Sequence, residues 1–390
     1  MFGSILRSTY RYPCAIIRHM SSIPYVYLYD TTLRDGLQTA GLSATLSQKQ
    51  AYMKMIQPYH FDFQEIGMVG DLHDKELSLS RYSRGWFLCL PTPYYITLAT
   101  RLGISRLQFV IKADTDHILH VIRKEPYQYI FDCITVIKQR KIHHTICALE
   151  HFFDGYKKNK QFALNIITQL SPCCSWIVLA DTNGGTLSHE IKDILEAVRT
   201  VIPLSRIGIH AHNDIDLAVS NSITAVQTGV RMVQGTWNGM GERCGNANLI
   251  SVACTLQLKV KYTTCLSSRM NTLTDTSDKI ISLFGNRVID HYYAYVGKYA
   301  FTHKAGLHIQ AVQKNSSLYE HISPSLVGNK NKMLFSESIS RASLVSILGI
   351  VPDVLFLPIA KQIIHSTPVN KHTRKIKEAY QLFLNQNKNK

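Results

Sequence analysis

This sequence of 390 residues has no apolar run that approaches the roughly 20 positions a membrane helix needs. Stretches such as Trp176–Ala180 stop after a few residues, so no helical membrane span is expected. The nine cysteines are an odd number and contain no Cys-x-x-Cys pair, which fits neither a disulfide framework nor a zinc knuckle. A reducing compartment is the simpler setting. Charged residues are sparse, at 18% against 45% hydrophobic, a balance that fills a full-sized core and excludes wholesale disorder. Internal repeats and low-complexity linkers are missing as well.

Acidic residues are absent until Asp30, while residues 1–22 carry Arg7, Arg11, Arg18, His19 and several serines. That composition reads as an organelle transit peptide with the mitochondrial matrix as the expected destination; the alternatives are a frayed cytoplasmic N-terminus or a plastid leader. The apolar centre of a secretory signal is missing. A formal net charge of +16 raises the question of nucleic acid, yet Lys and Arg are spread without an RNP-like, zinc-finger or basic-zipper pattern. Nucleic acid is therefore not an expected partner. Small phosphate- or carboxylate-bearing substrates are equally compatible with the charge.

What the chain does have is a βα rhythm. Eight short runs rich in β-branched and aromatic residues alternate with segments long enough for one helix each. They are Val26–Asp30, Phe61–Gly67, Trp86–Leu90, Leu107–Ile111, Thr145–Glu150, Trp176–Asp181, Arg206–His212 and Met232–Asn238. Continuous apolarity suits strands covered on both faces. Eight such parallel strands make an α/β fold, a closed (β/α)8 TIM barrel, over residues 25–285. Leu46–Gln57 after Thr45, and Ser188–Val201 with Glu190 in its first turn, read as two of its helices. The segment Asp71–Arg106 is short for a third unit. After residue 285 the rhythm stops, and residues 286–365 read as a linker and small, mainly helical subdomain, with helices over Ser340–Leu348 and Asp353–His365. Residues 366–390, basic and Asn-rich, are expected to fray.

In barrels of this class the chemistry sits at the C-terminal ends of the strands, and here those ends are polar. His210 and His212 are two apart on one strand, so both rings leave the same face. Alone, such a pair fits a structural role as well as a metal. Asp35 and Asn246, each at another strand mouth, add hard oxygen donors, and the four together suit Mg2+, Mn2+ or Zn2+ with positions left open. Arg34 is either a salt-bridging loop residue or, beside a metal, a fixed cation for a developing oxygen charge. Gly184, Gly185 and the glycines around Asn246 are either turn residues or sites of close backbone approach to substrate.

Three separated motifs, DTTLRDGLQ at 30–38, HAHND at 210–214 and GMGERCGNANL at 239–249, resemble the acyl-transferring members of the metal-dependent family that contains isopropylmalate, homocitrate and citramalate synthases. EHFFDGYK at 150–157, DTNGGTLSHE at 181–190, FTHKAGLHIQAV at 301–312 and YEHISPSLVGN at 319–329 are similar to the citramalate synthase branch. The resemblance covers residues 25–345. It implies a metal held by Asp35, His210, His212 and Asn246, chelated by a 2-oxo acid, with acetyl-CoA as co-substrate. It further implies that Arg34, Gln38, Thr182 and Asn183 bind substrate, and that Glu150 acts on the acetyl thioester. His308 and Tyr319 complete the site, often across a homodimer. The implied reaction is condensation of acetyl-CoA with pyruvate. Another 2-oxo acid, as in isopropylmalate or homocitrate synthesis, is the alternative on the same scaffold, and a non-catalytic metal-binding barrel is the alternative of another class. A hydroxymethylglutaryl-CoA type of lyase fits less well, because its Gly-Cys-Pro loop is replaced by GERCGNAN.

Departures from the family pattern are Asp216, where a small residue is usual, the short segment at 71–106, and a missing glycine in SESISRASL at 336–344. Asp216 is expected to bring a charge near the metal strand. Relatives of this branch continue into a domain that senses an end-product amino acid, and the expectation here is an enzyme without feedback by isoleucine or leucine.

Overall fold

A computed structural model describes residues 23–70, 85–139, 144–285, 291–334, 339, 341–350, 352–353, 355–368 and 371–387. The leader expected at 1–22, residues 71–84 of the short third unit and most of the segment 336–340 lie outside the described residues.

The eight expected strands are all present and close into a parallel barrel: β1 Tyr27–Asp30, β2 Phe63–Met68, β3 Gly85–Cys89, β4 Arg106–Lys112, β5 His144–Glu150, β6 Trp176–Asp181, β7 Ile207–Ala211 and β8 Met232–Gly235. Each pairs with its neighbour in sequence, and β1 closes on β8 with Tyr29 opposite Gln234 and Asp30 opposite Gly235. The third unit is complete from β3 onward: Thr92 caps the following helix Pro93–Arg101 by accepting from the Tyr95 amide, and Pro93 sits where a missing N–H costs nothing. Thr45 and Gln48 form a capping box at helix Leu46–Ile56, and Glu190 accepts from the Leu187 amide at helix Ser188–Val198.

Alternation along the strands sorts side chains into two layers. Outward residues such as Leu28, Ile66, Phe109, Leu149, Ile177 and Ile209 join the helices in the main core. Inward residues fill the lumen. Its lower part is an aromatic plug in which Tyr27, Tyr29, Phe63, Trp86 and Trp176 meet at ring separations of 5.4–6.5 Å, closed by Ile146, Val178 and Met232. Above it the same inward rows become polar: Glu65 on β2, Gln108 on β4, Gln234 on β8 and His210 on β7, all buried. The β2–β3 register shifts between Glu65 and Gly67, a bulge beside the first of these.

Beyond the barrel, helices Gly306–Lys314, Arg341–Leu348, Phe356–Ser366 and His372–Asn387 build a second, smaller core around Ile309, Leu344, Phe356, Ile364, Ile376 and Tyr380. The expectation of a frayed tail after residue 366 is corrected by the last of these helices. Ile376, Tyr380 and Phe383 recur at helical spacing inside the basic stretch, and the Tyr380 ring packs edge-on against Phe356 at 4.8 Å. Among the described residues, no helix is long and apolar enough to cross a membrane.

Trp176 anchors the plug with only 8% of its surface exposed. Trp176→Ala is expected to destabilise the barrel by about 3–5 kcal/mol, the usual cost of emptying a buried aromatic site, read as a lowered unfolding midpoint in urea.

Candidate metal centre at the barrel mouth

Closure of β1 on β8 brings the segment after β1 over the ends of β7 and β8. Thr31 donates from its amide and its hydroxyl to the Gly235 carbonyl, at 2.9 and 3.0 Å, and the turn that follows delivers Arg34 and Asp35. The segment after β8 folds back onto β7: Asn213 N donates to Gly245 O at 2.9 Å, Ala247 N to Ala211 O at 3.0 Å, and Asn246 bridges to His212. In this way three chain segments far apart in sequence converge.

Asp35 Oδ2 lies 3.2 Å from His210 Nε2, and His210 Nε2 lies 3.4 Å from His212 Nε2. One donor atom from each of the three fits within 4.8 Å of the others, and all three residues are buried. Asn246 donates from Nδ2 to the Met240 carbonyl at 3.1 Å, which leaves its Oδ1 buried without a hydrogen-bond partner. A buried carbonyl oxygen without a donor is costly. Two ring nitrogens, a carboxylate and an orphaned amide oxygen are the donor set of a divalent metal, so the residues fit the ion that the motifs imply.

Charge supports the same use. Burial alone would push the Asp35 carboxyl up, but the Arg34 guanidinium and His210 outweigh it and hold it well below the usual carboxylate range. Burial, followed by the adjacent His210 ring, pushes His212 down to about 4, which keeps its imidazole neutral and able to ligate. Arg34 Nη1 lies 3.4 Å from Asp35, and its Nε donates to Glu65 Oε2 at 2.7 Å. Burial raises the Glu65 carboxyl more than Arg34 lowers it.

The other expected residues are placed around this centre. Glu150 stands at the end of β5 in an ion pair with Lys112 of β4. Thr182 Oγ1 accepts from the His151 amide at 2.8 Å, and Asn183 Nδ2 donates to Asp154 Oδ2 at 2.8 Å. A cleft of about 580 Å3, lined among others by His117, His151, Asp154, Lys157 and Asn183, opens on that side. Gln38 is exposed on the rim after Asp35. His308 and Tyr319 are stacked on each other at 4.1 Å, both exposed, and no hydrogen bond or ion pair among the described residues joins them to the metal cluster.

Asp216 departs from its expectation. It adopts φ 61°, a left-handed conformation that Asp tolerates better than most residues, and its exposed carboxylate accepts from Asn213 Nδ2 at 3.1 Å. Its charge is thus spent on its own turn. The glycines are not turn residues alone, and the close approach they permit is to the protein's own loops. A Cβ on Gly184 would lie 2.3 Å from Asp214 Oδ2, and one on Gly241 would lie 2.2 Å from Asn246 Nδ2. Arg243 locks the same loops, donating to both Asp214 oxygens at 2.7 and 2.9 Å and to the Thr182 carbonyl at 2.9 Å.

Four residues of consequence escaped the sequence reading: Glu65, Gln108, Gln234 and Lys112. The available signal was a lone charged or amide residue on an inward position of an otherwise apolar strand, as in FQEIGM at 63–68 and RLQFVIK at 106–112.

A buried two-histidine, carboxylate and amide centre at the C-terminal mouth of a (β/α)8 barrel defines a metal-dependent barrel protein. The HMGL-like family model matches residues 25–280, and a model described as homocitrate synthase post-HMGL domain-like matches residues 295–345. The chain belongs to the HMGL-like family. An (R)-citramalate synthase of Aquifex aeolicus is 36% identical over 339 residues, covering 82% of this chain and 64% of that protein. One from Synechocystis is 35% identical, covering 84% and 65%, and a 2-isopropylmalate synthase of Geobacillus thermodenitrificans is 29% identical, covering 82% and 65%. The chain therefore spans somewhat less than two thirds of the length of these relatives. In fold it is similar to the HMG-CoA lyase of Bacillus subtilis, with a TM-score of 0.58 at 19% identity over 67% of this chain and 96% of that one.

Gly241→Ala is expected to displace the Asn246 amide and weaken Mn2+ binding about tenfold, the scale on which metal sites respond to a lost supporting contact. Gly185→Ala, where a Cβ meets nothing within 4 Å, is expected to leave it unchanged. Isothermal titration of both variants checks the contrast.

Proposed function

We propose that the protein condenses acetyl-CoA with pyruvate to give (R)-citramalate and CoA. The observation that carries this reading is the cluster of Asp35, His210 and His212 beside the Arg34 guanidinium, with the orphaned Asn246 oxygen in the segment bridged to His212. Pyruvate as the oxo acid is supported by (R)-citramalate synthases at 32–36% identity to this chain, against 26–29% for the isopropylmalate synthases.

A Mg2+, Mn2+ or Zn2+ ion held by these four residues would supply Lewis-acid polarisation of the ketone and a template for the oxo acid. The chain's own groups do the rest. Arg34 is a donor-only cation fixed between Glu65 and Asp35, placed to balance charge that develops on oxygen. Thr182 already accepts from the His151 amide, so its hydroxyl proton remains to donate to a substrate carboxylate. Glu150, partly exposed next to Lys112, takes a methyl proton of the acetyl thioester. A carbon–carbon bond then forms between that methyl carbon and the ketone carbon as the carbonyl π bond opens to an alkoxide that takes up a proton, and water cleaves the thioester to a carboxylate and CoA as the free thiol. The cleft beside Asn183 offers Lys157 and His117 to the phosphates of CoA.

His308 and Tyr319 complete the site in this reading from the other subunit of a homodimer. Their exposure, and their lack of a described bond to the cluster of their own chain, support that placement.

Purified protein incubated with acetyl-CoA, Mn2+ and a panel of 2-oxo acids is expected to release thiol with pyruvate, to stop on chelation, and to lose activity in His212→Ala. Faster release with 2-oxoisovalerate or 2-oxoglutarate would overturn the choice of acid. Silence with every acid would leave a non-catalytic barrel. Coexpressed His212→Ala and His308→Ala chains are expected to regain part of the activity that each lacks alone, and no recovery would place His308 in the site of its own chain.

A further inference from the structure

Across the barrel mouth from the metal cluster stands a second charged group. In the closed ring of strands, β4 and β5 lie opposite the seam of β8 with β1. Lys112 ends β4, Glu150 ends β5, and the two are direct partners in the register. Ile146 and Ala148 of β5 belong to the lumen, as does Gln108 of β4, which bonds to Glu65 and Gln234. Alternation therefore turns Glu150 and Lys112 inward as well. Their side chains form an ion pair through Glu150 Oε2 and stay 27% and 19% exposed, so the pair faces the open mouth. His151 Nε2 lies 3.8 Å from the other oxygen, Oε1, and its ring packs at 4.6 Å on His117. Both histidines line the cleft of about 580 Å3, which thus leads to the pair.

We propose, on the condensation reading of this site, that Lys112 is a catalytic residue: its ammonium leaves Glu150 for the thioester oxygen of acetyl-CoA and holds the enolate as Glu150 takes the methyl proton. Removing a proton next to a thioester needs a base at the carbon and a cation or donor at the oxygen in the same step. Asp35, His210 and His212 are gathered on the other side of the mouth, where the oxo acid is read to bind. In the resting pair the ammonium sits on the carboxylate oxygen that has to receive the proton. Its move to the substrate clears that oxygen, and a flexible four-carbon stem with three donors allows it without a change of backbone. The C–H bond breaks, its proton goes to Glu150, its electron pair becomes the carbon–carbon double bond, and the carbonyl π pair moves onto oxygen beside Lys112 Nζ. When the enolate carbon attacks the ketone, that pair returns to the carbonyl and Lys112 lets go.

His151 is the competing donor for the same oxygen. Burial, the largest influence on both rings, lowers His151 and His117, so each is neutral near pH 7 and offers less to a developing charge than an ammonium. The other lysines of the cleft are engaged elsewhere: Lys158 is held by Asp114 and Asp116, and Lys157 by Glu190. Two substitutions separate charge from shape at Lys112. Lys112→Gln keeps an NH2 group that can hold Glu150 in place but carries no charge, whereas Lys112→Arg keeps the charge. A residue that only positioned Glu150 would be replaced well by Gln.

Enolisation is read apart from condensation by following exchange of the acetyl-CoA methyl protons with D2O, in the presence of Mg2+ and of oxamate, a pyruvate analogue without a ketone. K112Q is expected to lose about 100- to 1,000-fold in exchange and in kcat, the scale of a lost oxyanion donor, with KM for acetyl-CoA little changed. K112R is expected to recover at least about tenfold of that loss. A CoA analogue with a carboxylate in place of the acetyl thioester carries its charge where the enolate oxygen would be. By isothermal titration it is expected to bind K112Q about tenfold more weakly than wild type and K112R nearly as well as wild type. Lys112 is partly exposed at the mouth, so both variants are expected to fold, and Mn2+ binding equal to wild type shows it. Exchange unchanged in K112Q, loss alike in K112Q and K112R, or loss in His151→Gln but not in K112Q would each overturn the proposal. Wild-type thiol release that K112Q retains would remove Lys112 and leave the condensation standing. A wild type with neither release nor exchange would remove the condensation and the role of Lys112 with it.

Discussion

The pairing of β1 with β8 is the contact on which the centre depends. It joins residues some two hundred positions apart, sets Asp30 opposite Gly235, and lets Thr31 anchor to the Gly235 carbonyl. Only with that seam closed does the turn after β1 hang over β7, where Asp35 meets His210. The seam is also where the inward rows change from aromatic to polar, with Tyr29 of the plug directly opposite Gln234 of the polar layer. Packing below and coordination above are therefore set by the same register, and a slip of one residue would send both to the helix side.

Polarity inside the barrel is concentrated in one layer above the aromatic plug. Glu65, Gln108, Gln234 and Arg34 place charge and amide groups where desolvation is expensive, and each is bonded to the next. At the centre the buried Oδ1 of Asn246 is left without a partner.

The strands were legible because each is a short apolar run between turn residues, and even β3 was found within one residue of its bounds. The residues of the candidate centre, Asp35, His210, His212 and Asn246, were legible because they sit at strand ends in tight motifs. Glu65 and the two glutamines were not, since an inward position reads as core until its partners across the lumen are known, and the bonds Glu65–Gln108 and Gln108–Gln234 join residues 43 and 126 positions apart. Helix His372–Asn387 was missed for a different reason. Charged and polar residues dominate its composition, while three apolar residues on one face decide the packing. Asp216 was read by its charge, whereas its backbone conformation and its bond to Asn213 govern where that charge goes.

The aromatic plug has a consequence for traffic. With Tyr27, Tyr29, Phe63, Trp86 and Trp176 filling the lower lumen, the centre is reached from the top of the barrel. Whatever binds at the centre enters and leaves on that one side, an entrance imposed by five rings that lie below the polar layer.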